Sequence, residues 1–162
     1  ADETDAEFIL KLRTDPVKSK FLSQTSTSIN DQIAWMKSYK NSSDQAYFII
    51  EDRASNKLGC IRIYNPIETS FEWGSWMILE GAAPYVALES ALSIYSYARR
   101  LGFLLAKIDV RKDNPTVWKF HENIFGAVLV SETDLDRFYE VSTEEIDMRL
   151  QKYRRLLISI DE

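Results

Sequence analysis

The stretch from Phe71 to Leu101 limits the fold more than any other part of this chain. The run Phe71-Glu72-Trp73-Gly74-Ser75-Trp76-Met77-Ile78-Leu79 has the aromatic and apolar content of a strand. It passes through the small-residue loop Glu80-Gly81-Ala82-Ala83-Pro84 into the longest helical pattern of the sequence, where Leu88, Ala91, Leu92, Tyr95 and Ala98 recur at three-to-four spacing. Arg99, Arg100 and Gly102 supply C-terminal helix signals. A strand, a tight loop and a helix N-terminus together make an anion site, because free N–H groups and the positive end of the helix dipole hold a phosphate without Lys or Arg. The alternative is a loop kept small so that the helix can pack on the sheet.

The elements on either side complete an α+β pattern. Two short amphipathic helices open the chain, the first carrying Phe8, Ile9 and Leu12 behind a Thr4 or Asp5 cap, the second starting at Asn30 or Asp31 and carrying Ile33, Trp35, Met36 and Tyr39. Strands are expected at Ala46–Glu51, Leu58–Tyr64 and Phe71–Leu79, joined by turn-type segments at 52–56 and 65–69 as an antiparallel meander. After the long helix come a strand at Leu104–Val110, a helix at Thr116–Phe125 behind Asn114-Pro115, strands at Ala127–Ser131 and Arg137–Val141, and a last helix behind Ser142-Thr143-Glu144-Glu145. The order ααβββαβαββα predicts a mixed, mostly antiparallel twisted sheet with helices on both faces.

At 162 residues this reads as a single domain over 1–162. Twenty Lys and Arg against 25 Asp and Glu leave a net charge of −5, which argues against a nucleic-acid partner. One Cys and one His make no cluster of metal-ligand spacing, so no metal is expected. No apolar run approaches the roughly 20 residues that span a bilayer, and nothing in the sequence reads as an export signal. The expected setting is cytoplasmic, without a membrane partner.

The order of elements and three stretches of sequence resemble the Gcn5-related N-acetyltransferase (GNAT) superfamily, especially its ribosomal-protein and amino-sugar N-acetyltransferases, over about residues 5 to 141. Glu72-Trp73-Gly74-Ser75-Trp76-Met77-Ile78 is similar to the family's fourth strand, where an acidic residue two positions before Gly is common. Residues 80 to 102 take the place of its acyl-CoA pyrophosphate loop and helix. Asp109-Val110-Arg111-Lys112-Asp113-Asn114, then Phe120-His121-Glu122 and Gly126-Ala127, resemble its Asn, Phe-His and Gly-Ala segment. The family's loop usually reads Arg/Gln-x-x-Gly-x-Gly/Ala, and Ala82, Tyr85 and Ala87 stand at those positions here, so Tyr85 must turn away from a ligand. The strand with which the family opens is missing or lies outside the chain.

The resemblance implies transfer of an acetyl group from acetyl-CoA, as co-substrate, to a primary amine by direct attack. The acceptor would be an amino sugar or another small molecule, or a protein N-terminus. Met77, Ile78 and Leu79 would present their backbone to the pantetheine arm. N–H groups of Gly81, Ala82, Ala83, Tyr85, Val86 and Ala87 would take the pyrophosphate, and Asn114 would hold the cofactor. Alternation places Glu72 on one strand face with Gly74, Trp76 and Ile78, which makes it the candidate base. His121 stands where the family often has a Tyr that protonates the thiolate. Trp35, Trp73 and Trp76 are candidate walls of an acceptor pocket, against the alternative of core packing. Cys60 reads as a buried structural thiol rather than a nucleophile. A non-catalytic acyl-CoA or small-ligand binding module on the same fold is the rival reading, and a homodimer through Thr143 to Ile158 is a further expectation.

Overall fold

The computed structural model describes residues 1–22 and 26–157. Helix α1 (Ala6–Arg13) follows a 3-10 turn, Glu3–Asp5, capped by Asp2, and α2 (Ile29–Lys40) is capped by Ser28, whose hydroxyl accepts from the Asp31 N–H. Asp5 stands at the N-cap position of α1, as expected, while Ser28 caps α2 two or more residues before Asn30 or Asp31, because its hydroxyl reaches an orphan N–H group of the first turn. Then come β1 (Ala46–Glu51), β2 (Lys57–Ile67), β3 (Ser70–Ile78), α3 (Tyr85–Arg100), β4 (Leu105–Arg111), α4 (Pro115–Phe125), β5 (Val128–Glu132), β6 (Asp136–Ser142), α5 (Thr143–Lys152) and the short α6 (Arg154–Leu157). Ile158 lies outside the described residues.

The six strands form one sheet in the order β1-β2-β3-β4-β6-β5, antiparallel throughout except for the central pair β3 and β4. Residues 65–67, read as part of a turn, continue β2 instead. Asn65 takes up a left-handed φ of 49°, Pro66 falls beside this irregularity, and Ile67 pairs with Ser70 across a two-residue turn at Glu68-Thr69. Proline tolerates an irregular strand position, so the expected hairpin forms with a longer β2 and a shorter turn.

One sheet face buries Ile61, Phe71, Trp73, Ile108 and Val141 against Ala91, Leu92 and Tyr95 of α3, Phe125 of α4 and Ile146 of α5. The other face buries Tyr47, Cys60 and Met77 against Ile9 and Leu12 of α1 and Met36 of α2. Helix α4 stops at Gly126, whose φ of 64° is the left-handed conformation expected of a helix C-cap. Ser142 caps α5 through the Glu145 N–H, while the Glu145 carboxylate pairs with Arg149 at 2.9 Å.

Two features of β3 shape everything that follows. The parallel pairing with β4 comprises only Ser70↔Leu105, Phe71↔Ala106 and Glu72↔Lys107, and beyond it the strands part. Past the last pair, β3 also carries an extra residue relative to β2: Arg62 faces Gly74 and Cys60 faces Met77, so Ser75 and Trp76 share the space opposite Ile61. Ser75 absorbs the insertion with φ 47°. The bulge reverses alternation, so Trp76 leaves the face of Glu72 and Gly74 and joins Trp73, with their ring centroids 5.5 Å apart. The expected grouping of Glu72 with Trp76 is thereby corrected.

A β-branched residue at Ser75 tolerates this backbone poorly. Ser75→Val is expected to lose about 1–2 kcal/mol in urea unfolding, while Ser75→Gly, which accepts the same φ freely, keeps or raises the midpoint.

Candidate active site

The parting of β3 from β4 opens a cleft of about 430 Å³. Trp73 to Ile78 form one wall, Ile108 to Arg111 the other, and Asn114, Thr116, Val117 and His121 of the α4 segment close the end. Arg13, Val17, Lys18, Phe21 and Leu22 line it from the α1 side. Sequence reasoning missed this last group, because the chain after α1 has no regular period that would mark it. Tyr64 and Asp136 complete the lining.

The residues expected at a cofactor site divide. Met77, Ile78 and Asn114 line the cleft. Asn114 occupies the N-cap position of α4, yet its side chain makes no capping hydrogen bond, which leaves the amide for another partner. Leu79 lies past the cleft: its side chain packs in the α1/α2 core and its N–H donates to the Leu58 carbonyl at 2.7 Å. In the loop, Gly81 turns with φ 83°. The Ala82 and Val86 N–H groups donate to the carbonyls of Leu79 and Ala83 at 3.3 and 3.0 Å, which corrects the expectation that every amide from 81 to 87 faces outward. Ala83, Tyr85 and Ala87 stay at the positively polarised start of α3, where a helix leaves its first N–H groups without an intrahelical partner. Tyr85 is 61% exposed and lines a separate groove between α3 and β1, away from the cleft.

Glu72 takes a different place from the expected one. It does not line the cleft, and its carboxylate accepts from Asn65 Nδ2 at 3.1 Å. Arg62, the neighbouring cation, stacks its guanidinium over Tyr64 at 4.3 Å and over Trp35 at 5.5 Å. Trp35 itself stacks on Tyr39 beneath α2, outside the cleft lining, which corrects its expected place in an acceptor wall. Trp73 and Trp76 do line the cleft, and Trp76 is held there by Nε1 donating to Ser90 Oγ at 3.0 Å.

His121 lines the cleft with only 1% of its surface exposed, between Trp73, Trp76 and Phe120. Burial pushes its pKa down to about 3, so the imidazole is neutral, and Nδ1 has no hydrogen-bond partner among the described residues. It can offer a hydrogen bond into the cleft but holds no charge there. Cys60 is fully buried beside the Tyr47 hydroxyl, and burial raises its pKa to about 11, so it is a protonated thiol. Arg111 and Lys112 are paired with Asp136 at 3.3 Å and Glu132 at 3.1 Å. Among the described residues no group of His, Cys, Asp and Glu could hold a metal.

The depressed His121 pKa has a thermodynamic consequence. Between the ordinary value of 6.5 and about 3, the unfolded chain binds a proton that the folded chain refuses. Stability is therefore complete above this window and falls as pH drops into it, by about 2 kcal/mol at pH 5. Urea unfolding of His121→Gln is expected to lack that part of the pH dependence between pH 7 and 5.

No family model and no curated relative matches this sequence. Solved structures do. The apo structure of FdhC, described as a nucleotide-linked sugar GNAT, shares 34% identity over 97% of this chain and 92% of its own, with a TM-score of 0.86. Spermidine N-acetyltransferase from Vibrio cholerae in complex with CoA and spermine aligns at 16% identity over 90% of this chain and 94% of its own, with a TM-score of 0.77. A SpeG mutant from the same organism gives 14% identity and 0.76 over 90% and 92%. The latter two bear on the fold alone. The extent and identity of the first place this chain in the GNAT superfamily of N-acetyltransferases.

Proposed function

We propose that the cleft carries acetyl transfer from acetyl-CoA to the amine of a nucleotide-linked amino sugar. The observation that carries this reading is the early end of the β3–β4 pairing. Past Glu72 and Lys107, the edges of the two strands that face each other have no strand partner there, and buried backbone groups need one. An extended amide-containing tail such as pantetheine satisfies them in the manner of an added strand. The amides at the start of α3 suit the pyrophosphate, Met77 and Ile78 the arm, and the uncommitted Asn114 amide a further polar group. A cytoplasmic setting supplies such a donor.

The acceptor side supports a phosphorylated substrate over a polyamine. Arg13 and Lys18 line the cleft from the α1 side, Lys18 with Asp15 at 3.5 Å, while Arg111 is paired with Asp136. Cations at this mouth attract a diphosphate and repel spermidine. A neighbour at 34% identity is described as a nucleotide-linked sugar GNAT. With Cys60 sealed and protonated, the acetyl group passes directly from sulfur to nitrogen, and both substrates must be present together. The protein's work is positioning. A binding-only role is not favoured, because the cleft joins the donor and acceptor sides in one continuous space. The α5 surface remains the proposed face of a homodimer.

Saturating acetyl-CoA is expected to raise the melting temperature by about 5–10 °C, as for a ligand near 100 times its Kd, and nucleotide-linked amino sugars to release CoA thiol faster than spermidine. No shift with acetyl-CoA overturns the donor assignment, and faster turnover of spermidine overturns the acceptor. Cys60→Ser is expected to keep thiol release within about twofold, and native Cys60 to resist iodoacetamide until the chain unfolds.

A further inference from the structure

Asp109 lines the cleft. Along β4, Ala106, Ile108 and Val110 are buried toward α3, so Lys107, Asp109 and Arg111 face the opposite side of the sheet. Lys107 is level with Glu72 in the last pair before the strands part. Gly74 and Asp109 each lie two residues past this last pair on their strands, and both line the cleft.

Gly74 leaves that part of β3 bare, and the Tyr64 side chain of β2 uses the space. A Cβ at position 74 would lie 2.9 Å from the Tyr64 hydroxyl. The phenol thus reaches across β3 to the gap, and Tyr64, Gly74 and Asp109 all line the same cleft. Burial pushes the Tyr64 pKa up to about 12, with the charges of Asp109 and Glu72 adding to it. The hydroxyl therefore stays protonated.

The other charges nearby are already engaged. Arg111 pairs with Asp136 of β6, and Glu72 accepts from Asn65. Among the described residues Asp109 makes no salt bridge, and its side chain is still open to the cleft. The surrounding walls raise its carboxyl pKa by removing water, the charge of Asp136 raises it further, and Arg111 opposes both.

We propose that Asp109, and not Glu72, receives the proton of the acceptor ammonium, while the Tyr64 hydroxyl orients the amine over Gly74. This rests on the acetyl-transfer reading above. One N–H bond of the ammonium breaks and its proton passes to the Asp109 carboxylate. The freed lone pair forms the C–N bond at the thioester carbonyl, the C–S bond breaks, and the departing thiolate takes a second proton from the same nitrogen. Asp109 then returns its proton to water. Burial, Asp136 from β6 and Arg111 from β4 set its titration; Tyr64 from β2, with Glu72 of β3 acting on it, and Arg13 and Lys18 from the α1 side are the other titratable or charged groups about the cleft.

The test measures kcat/KM against pH for the wild type, Asp109→Asn and Asp109→Ala, with a nucleotide-linked amino sugar as acceptor. Acetyl-CoA thermal shifts on the same proteins report folding and donor binding. Asp109→Asn is expected to lower kcat/KM by about 100-fold or more, mostly in kcat, to remove the acid limb of the profile and to leave the acetyl-CoA shift unchanged. Added formate is expected to restore part of the rate to Asp109→Ala but not to the wild type. The proposal is overturned if Asp109→Asn stays within threefold of the wild type, if its loss lies in KM alone with the acid limb intact, or if the acid limb disappears on Glu72→Gln. A wild type that neither binds acetyl-CoA nor releases thiol overturns the acetyl-transfer reading, and this assignment with it. An active wild type with an equally active Asp109→Asn overturns this assignment alone.

Discussion

Three residue pairs hold the two parallel strands together, and the place where they stop decides what the molecule can do. Up to Glu72 and Lys107 the sheet is continuous and its backbone groups satisfy one another. Beyond, β4 stays with β6 through Arg111 while β3 stays with β2 through Ile78, so each keeps its outer partner and loses the inner one. Side chains hold the gap open: Trp73 and Trp76 lie edge to face on the β3 side, with His121 of α4 packed against both rings. A gap of this kind exposes backbone amides in an otherwise closed core, an arrangement that costs stability unless something fills it.

The bulge at Ser75 complements this opening. Without it, strict alternation would send Ser75 to the face of Trp73 and Trp76 to the face of Glu72. With it, both indoles serve one face, and the opposite face at Gly74 is left free for the Tyr64 phenol. A single left-handed residue thus separates an aromatic wall from a polar one within four positions of the same strand.

Much of this was legible in the sequence. The switch from strand to helical period located β3 and α3, Asn114-Pro115 and Gly126 bracketed α4, and the element order gave the layer arrangement. These are strong signals because they rest on periodicity and on residues with few allowed backbone states. The rest depended on contacts across strands. Glu72 was grouped with Trp76 because a period of two was carried through Ser75, where the structure adds a residue. Asp109 drew no role of its own, since nothing local says that the neighbouring strand has already turned away. Trp35 and Trp76 have the same side chain, yet one stacks under α2 and the other walls the cleft, a difference set by helix packing and by the bulge. The contribution of Arg13 to Leu22 comes from the path of the chain after α1, which has no periodic pattern to read.

The two indoles at the edge of the gap also make the cleft visible to light. Trp73 has only 1% of its surface exposed, while Trp76 lies partly open beside it with its N–H fixed on Ser90. Whatever slides between the strands must change the polarity around a chromophore the protein already owns, so entry and departure of each substrate can be timed by intrinsic emission, with no label to disturb the walls.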